Sequence, residues 1–509
     1  MQSVFDQGPP PPCPAPFNLA RYVLEAGQAA PDKVALAILG LTGAERWSHA
    51  RLTAAVRGTA TGLRRAGLAP GDRVLMRLGN TVEFPIAYLG AIAAGIVPVP
   101  TSTQLTAPEV GKLIAAVTPT AILRDPDVAC PATDLPLIGP RDLHAMHDLP
   151  AAEWDMGDPD RPAYIIFTSG TSGVQRAVCH AHRAIWARRM MHDGWYGLRA
   201  DDRLMHAGAF NWTYTLGTGL MDPWSLGATA LIPQAGTDPA ALPLLMKRHD
   251  ATIFAAAPGV YRKILAQPES LSLPRLRHGL SAGEKLSPAL HDAWESATGT
   301  GLFEAYGMSE CSTFISASPD HPAPPGTLGR PQKGRRVAIV DVRGTPVPLG
   351  AEGTIAVHRD DPGLMLGYLD APEATAEKFA GEWFLTGDQG SMDADGHVTY
   401  LGRGDDMMNA GGYRVSPVEV EAALAQHPGI DQVAVTDVEV KRDARLIMAF
   451  YTGPAPLADA ELSQFAAARL ARYKCPRGFF HVEALPTGAN GKILRRELRP
   501  IYEARHGQA

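Results

Sequence analysis

Between about residues 30 and 360, short apolar runs alternate with helical patterns, and no other feature of this sequence restricts its fold as much. DRVLMRLGN (72–80) reads as a strand, TVEFPIAYLGAIAAG (81–95) as an apolar helix closing at Gly95, and IVPVPTS as a buried strand. AYIIFTSG (163–170) is a strand entering a glycine-rich turn, and ATALIPQ (228–234) and ATIFAAAP (251–258) repeat the pattern, each near a helix. Strands of this kind, interleaved with helices, predict parallel sheets covered by helices.

The texture changes near residue 335. RVAIVD, GTIAVHR and GHVTYLGR are short strands separated by Gly, Pro and Asp, which predicts a small β unit. After Gly402 a polar stretch leads into a compact tail of helix (PVEVEAALAQH), strand (DQVAVTDV), strand (RLIMAFYT) and helix (DAELSQFAAARLA). The expectation is an α/β protein with a domain boundary near Arg403. A large N-terminal domain, 1–402, carries the parallel sheets and the β unit; a small α+β C-terminal domain, 403–509, follows. A chain of 509 residues is too long for one ordinary core, which agrees with two or more domains.

Charge and cysteine usage exclude several function classes. A formal net charge of −6 does not suggest nucleic-acid binding. Cys13, Cys130, Cys179, Cys311 and Cys475 are far apart, with no CxxC pair, which argues against a zinc site or a disulfide framework and predicts a cytoplasmic protein. The start, MQSVFDQGPPPPCPAPF, lacks the basic and apolar regions of a signal peptide. No apolar run is long enough to span a membrane. A homodimer is left open.

Five segments can carry chemistry. In Thr168-Ser169-Gly170-Thr171-Ser172-Gly173 through Arg176, hydroxyls and glycines follow a strand and precede a helix expected from near His182. Glycines let successive N–H groups converge on an anion, so the loop suits a pyrophosphate, although most Ser/Thr/Gly loops are plain turns. No GxxxxGK[ST] loop fits anywhere. In Glu304-Ala305-Tyr306-Gly307-Met308-Ser309-Glu310, a tyrosine ring beside a glycine can stack on a purine, and a carboxylate with a hydroxyl can hold Mg²⁺ and phosphate. Trp383 to Asp388 reads as a strand ending in a turn that presents one carboxylate, able to accept from both ribose hydroxyls. The stretch from Gly402 through Asp405 to Gly411, Gly412 and Arg414 combines charge and glycine at the expected junction, where a hinge belongs. Last, Lys492 follows a flexible turn near the C-terminus.

Taken together, in this order and at these spacings, the segments resemble the acyl-adenylate-forming superfamily over about residues 17 to 500. Its members include acyl- and aryl-CoA synthetases, luciferases and peptide-synthetase adenylation domains. VPVPTSTQLTAPEV, LRHGLSAGEKLSP and GYRVSPVEVEAAL are most similar to medium-chain acyl-CoA synthetases and benzoate-type CoA ligases. The resemblance implies an ATP-dependent acid:CoA ligase using ATP, Mg²⁺ and coenzyme A. It also implies the roles. The loop 168–176 holds the β- and γ-phosphates. Ala282-Gly283-Glu284 and Glu304-Ala305-Tyr306 line the adenine. Ser309 and Glu310 meet the α-phosphate and the metal. Asp388 and Arg403 hold the ribose, and Lys492 bridges acid carboxylate and α-phosphate. Asp405 is the hinge of a swinging C-terminal domain, and Gly411-Gly412 border the pantetheine tunnel. The acid pocket falls to Phe210-Asn211-Trp212-Thr213-Tyr214, Ala282-Gly283 and Gly307-Met308, a flat apolar slot for small aromatic or short-to-medium aliphatic monoacids.

The family's phosphate loop is close to TSGTTGKPKG. Here Val174-Gln175 replaces Lys-Pro, Arg176 stands for the second lysine, and Ala177 for the last glycine. Arginine keeps the charge and can bind phosphate bidentately. Two other readings compete: an adenylating enzyme that loads a carrier-protein thiol, and a non-catalytic nucleotide sensor. The absence of a carrier segment in this sequence favours free CoA, and the retention of Glu310, Asp388, Arg403 and Lys492 disfavours a sensor.

Overall fold

The computed structural model describes residues 1–168, 176–266, 271–404, 406–410, 413–441, 444–488 and 493–506. The chain forms two compact units. The larger comprises Phe5–Arg336 and Val357–Phe384; the smaller comprises Met1–Val4, Val337–Ala356 and Leu385–Ala509. The expected boundary at Arg403 falls within the smaller unit. Among the described residues no helix is long and apolar enough to cross a membrane.

The larger unit contains β1 (Val34–Leu39), β2 (Arg73–Arg77), α1 (Glu83–Ala93), β3 (Val97–Pro100), β4 (Pro162–Thr168), β5 (Arg176–Ala181), β6 (Arg203–His206), β7 (Thr229–Pro233), β8 (Ile253–Ala256), β9 (His278–Ala282), β10 (Leu302–Met308), β11 (Ser312–Ser316) and β12 (Gly367–Tyr368). Helix α1 is apolar all round, so it is buried all round, as a helix between packed layers must be. It stops at Gly95, whose φ of +77° suits glycine and whose Cβ would lie 2.5 Å from the Asp155 carboxylate.

Six parallel strands, in the order β10-β9-β8-β6-β7-β1, form the centre of a nine-stranded sheet, as the apolar runs predict. Strand β11 turns back antiparallel to β10. The chain leaves β6 for β7 on one side, then returns to place β8 on the other. Strand β6 is therefore a topological switch point, and ligands of such sheets bind beyond the carboxyl ends of strands there.

One strand is absent from the sequence reading: residues 176–181, between the Ser/Thr/Gly loop and the helix expected from near His182, form β5, antiparallel to β4 with Ile165 opposite Cys179. The helix there spans only Ala184–Ala187. Val178 and His180 are buried against neighbouring layers, and cross-strand pairing with YIIF outweighs any helical pattern.

In the smaller unit, β13 (Trp383–Met392) pairs antiparallel with β14 (Val398–Arg403). The strand does not end in a turn at Asp388, as its sequence suggests. Gly387 takes a φ of +85° and the strand continues, with a register shift after Gln389. Beyond it, α2 (Pro417–Leu424) and α3 (Asp459–Ala467) pack on β15 (Gln432–Lys441), β16 (Ala444–Thr452) and β17 (Gly478–His481) around Val420, Leu424, Val435, Ala449 and Leu462. The helix–strand–strand–helix tail is as read. The sequence reading did not include β17 or the helix Leu498–His506.

Candidate active site

At the carboxyl end of β10 the chain makes a tight return, Ser309-Glu310-Cys311, into β11. Glycine is required at 307, where a Cβ would sit 2.0 Å from the Ser312 carbonyl oxygen. Three neighbours hold the return. The His180 ring donates through Nε2 to the Ser309 carbonyl at 2.7 Å. Since a carbonyl only accepts, that nitrogen carries the proton. Burial pushes the His180 pKa down to about 4, so the ring is neutral near neutrality. Tyr368 donates its hydroxyl to Glu310 Oε1 at 2.7 Å, and the Met365 N–H reaches the Glu310 carbonyl at 2.7 Å. The Arg176 guanidinium stands 4.9 Å over the Tyr368 ring. Burial, then the Glu310 charge, raise the Tyr368 pKa, so the phenol stays protonated and donates.

Arg176 is thus tied through Tyr368 to Glu310, and Thr168 lies opposite Arg176 in the β4–β5 register. Ser169, Gly170, Thr171, Ser172 and Gly173 lie outside the described residues. Tyr368 and His180 were not among the sequence candidates. Neither lies in one of the five segments, and nothing in the neighbouring sequence ties either to Ser309 or Glu310. Tyr368→Phe keeps the ring under Arg176 and removes one hydrogen bond to a carboxylate, a contact of about 1.5–3 kcal/mol. Acid-dependent ATP–pyrophosphate exchange should fall ~10-fold or more at limiting Mg²⁺ and recover partly at high Mg²⁺. Equal rates at every Mg²⁺ concentration would show that this hydroxyl does not shape Glu310.

Ala282 ends β9 and Gly283 follows it. Gly283 has a φ of +95°, and its Cβ would meet the Trp212 ring at 3.4 Å, so Trp212 lies against glycine backbone. Glu284 lies 3.9 Å from Arg262. Glu304, expected to face adenine, is instead engaged locally. Its carboxylate accepts from Lys285 Nζ at 2.7 Å and from the Leu286 N–H at 2.8 Å. Burial raises its pKa, and Lys285 acts against that rise. Glu304 therefore braces the loop that carries Ala282 and Gly283. Ala305 is buried, and Tyr306 meets Phe314 edge to face at 5.3 Å.

The stretch after β6, at the switch point, divides in two. Phe210 is wholly buried, stacked on Phe84, and its N–H donates to Asn80 at 2.7 Å; it supports the loop from the core and is not part of a slot wall. Asn211, Trp212 and Tyr214 are partly exposed, as are Gly307 and Met308. The Trp212 and Tyr214 rings cross edge to face at 5.1 Å. His206 packs against Tyr214 at 4.4 Å, and burial holds its pKa near 3, so it too is neutral. Aromatic faces and backbone glycine make an apolar surface beyond the strand ends.

In the smaller unit, Asp388 and Arg403 are direct cross-strand partners, 3.7 Å apart. Asp388 is largely buried, and the Gly404 N–H donates to the Gly387 carbonyl at 2.7 Å, closing the bend beside it. Asp405, Gly411, Gly412 and Lys492 lie outside the described residues. The chain just past Lys492 is anchored: Arg495 grips Glu421 at 2.8 and 2.6 Å and lies 3.5 Å from Asp406.

Among the described residues no group of three or more His, Cys, Asp and Glu is placed to hold a metal. A single carboxylate fits Mg²⁺, which keeps several waters and shares its shell with substrate phosphates. Glu310 accepts from Tyr368 through Oε1, and its carboxylate is of the oxygen type such a metal takes.

Comparison with known proteins agrees with this geometry. Residues 23–369 match the family model "AMP-binding enzyme", and residues 419–492 match "AMP-binding enzyme C-terminal domain". The chain is 30% identical to acyl-coenzyme A synthetase ACSM2A, mitochondrial, of Homo sapiens, over 96% of this chain and 91% of that protein. It is 30% identical to 3-hydroxybenzoate–CoA ligase of Aromatoleum sp. (strain CIB), over 92% of this chain and 94% of that one. A benzoate CoA ligase from Burkholderia xenovorans LB400 superposes with a TM-score of 0.85 at 28% identity, covering 95% of this chain and 100% of its own.

Proposed function

The chain belongs to the AMP-binding enzyme family and is an ATP-dependent, AMP-forming acid–CoA ligase, and from that premise we propose that its acid is a small aromatic or short-to-medium-chain monocarboxylate. The single observation that carries the choice is the Trp212–Tyr214 ring pair, with Trp212 against Gly283, at the β6 switch point. A flat apolar face suits a ring or a short chain, with about 0.8 kcal/mol from each buried CH₂. No Lys, Arg or His occurs in 210–214 to pair a second carboxylate. A relative named for 3-hydroxybenzoate supports an aromatic acid.

The reaction then runs in two steps. One oxygen of the acid carboxylate attacks the α-phosphorus of ATP, and the bond to the bridging oxygen breaks, releasing pyrophosphate and leaving the acyl-adenylate. The CoA thiol, with a free pKa of ~8.5, loses its proton and attacks the acyl carbon, and AMP leaves. Two anions meet in the first step, so cations must neutralise the charge that develops. We assign that work to Lys492, with Arg176 and the loop 168–173 on the leaving pyrophosphate. Glu310 would hold Mg²⁺, which supplies charge neutralisation on the phosphates when bound. Ser309 would meet the α-phosphate. Ala282–Glu284, Ala305 and Tyr306 would border the adenine, with Glu304 bracing that loop. Asp388 and Arg403, side by side, fit two ribose hydroxyls and an adjacent oxygen.

Residues 403–509 would act as the mobile C-terminal domain, turning at Asp405 and bringing Gly411–Gly412 to the pantetheine arm. Five unpaired cysteines fit a reducing, cytoplasmic setting. The test is acid-dependent pyrophosphate exchange over a panel of acids, followed by CoA thioester formation. Benzoate-like or C4–C8 acids should give the highest kcat/KM. A clear preference for palmitate, an amino acid or succinate would refute the acid class.

A further inference from the structure

The return Ser309-Glu310-Cys311 is a three-residue hairpin loop, because Met308 pairs directly with Ser312. Loops of this length close with a residue in the left-handed region, a place that glycine fills in most proteins. Here the left-handed residue is Ser312, which follows the loop and pairs with Met308, with a φ of +63°. A side chain there carries a backbone cost that glycine avoids, and such a conformation persists only where its surroundings impose it.

The surroundings are unusual. Arg188, buried in the larger unit, donates through Nη1 to the Ser312 hydroxyl. The rest of its guanidinium is fixed. Nε reaches both oxygens of buried Asp222, at 2.9 and 3.1 Å, and Nη2 reaches the same carboxylate and the Tyr196 hydroxyl, the latter at 3.1 Å. Tyr196 donates to Asp222 at 2.7 Å and lies 2.9 Å from Thr218. Room for the guanidinium comes from Gly217, in the π-helical segment Thr215–Met221 that follows the acid-facing stretch. A Cβ at 217 would fall 2.3 Å from Arg188 Nη2. π-helical turns are rare and cluster at functional sites.

We propose that Arg188 is a positioning residue for adenylation: its clamp on the Ser312 hydroxyl holds a non-glycine residue in the left-handed closing position and so fixes the turn that presents Ser309 and Glu310. Arg188 meets no substrate, and Ser312 contributes only its conformation. Asp222 and Tyr196 aim the guanidinium, and Gly217 admits it. The proposal rests on the assignment of Ser309 and Glu310 to the phosphate and metal site.

Two substitutions at one position separate conformation from chemistry. Ser312→Ala removes the hydroxyl and keeps the backbone cost; Ser312→Gly removes both. Each purified variant would be assayed for acid-dependent ATP–pyrophosphate exchange and for conversion of supplied benzoyl-adenylate and CoA to thioester, with a melting curve to normalise for folded protein. Exchange should fall ~10-fold in Ser312→Ala, the scale set by the left-handed penalty, and stay within ~3-fold of the parent in Ser312→Gly. Thioester formation should change less than ~2-fold in both, since it does not use the metal-facing turn. If alanine and glycine lower exchange equally, the hydroxyl itself acts and the positioning role is wrong. If neither lowers it, the clamp is idle. If both half-reactions fall together in Ser312→Ala, the effect is general disruption and the proposal is overturned. Glu310→Gln runs alongside: full exchange in that variant would overturn the site assignment instead of the clamp.

Discussion

Lys492→Ala should lose acid-dependent ATP–pyrophosphate exchange by ~10²-fold or more, while still converting supplied acyl-adenylate and CoA to thioester at close to the parent rate. The step that joins carboxylate to α-phosphate concentrates negative charge, and a cation aimed there acts only while that charge develops. In the second step a neutral thioester forms and AMP, already an anion, departs, so the lysine has much less to stabilise. Three residues past Lys492, Arg495 makes charged contacts within the smaller unit. Arg495 is partly buried and bound to Glu421 in α2, with Asp406 nearby. The opposite signature is expected at the hinge: Asp405→Pro, which fixes φ near −65°, should slow thioester formation and spare exchange. Equal losses in both half-reactions for Lys492→Ala, or an unchanged ratio for Asp405→Pro, would remove these assignments.

Much of this protein is legible in its sequence because its signals are redundant. The runs at 72–80, 228–234 and 251–258 carry strands whose centres are buried on both faces, so each centre is mostly apolar, and the strands β2, β7 and β8 lie where the pattern places them. The tail reads correctly for a similar reason: α2 buries Val420, Ala423 and Leu424, and β15 is buried on both faces from Val433 to Val438. The unread strand at 176–181 shows the limit. RAVCHA has no decisive period, and its strand state comes from pairing with β4 and β12, which are distant in sequence or separated by the loop. The bend at Asp388 fails similarly. Gly387 and Asp388 look like a turn, yet a left-handed glycine lets the strand bend and continue.

The site divides along the same line. Residues that face substrate stand in compact motifs, and a motif can be read along the chain. Residues that hold those motifs in place come from elsewhere. Lys285 on Glu304, His180 on Ser309, Tyr368 on Glu310 and Arg188 on Ser312 are all supports, and only the first is near its partner's motif in sequence. Each looks ordinary by itself. What marks them is burial with a specific polar partner, which only a fold can supply. Phe210 is the converse case, an aromatic inside a motif that turns into the core because Phe84 offers it a stacking face.

The largest stability effect is expected at the support of Tyr368 itself. Arg335 and Asp361 form an ion pair with side chains 0% and 1% exposed, and Asp361 also accepts from the Gly363 N–H at 2.8 Å. Arg335 further reaches the Thr313 carbonyl at 3.3 Å, in β11. The pair therefore joins the segment leading to Tyr368 to the strand behind the Ser309–Glu310 turn. A buried pair is not strongly stabilising compared with apolar residues of the same shape, because both charges were taken out of water. Removing one partner is different, since it leaves a charge buried and unpaired. Asp361→Ala should cost about 3–5 kcal/mol, seen as earlier loss of tryptophan fluorescence in urea. The double variant Arg335→Met with Asp361→Leu should recover most of that loss, because no orphaned charge remains. Exchange activity should follow the same order, lowest in Asp361→Ala, since Tyr368 reaches Glu310 from the segment that Asp361 anchors. If the single and double variants were equally destabilised, packing volume and not charge would govern this joint, and the anchor assigned to Asp361 would have to be abandoned.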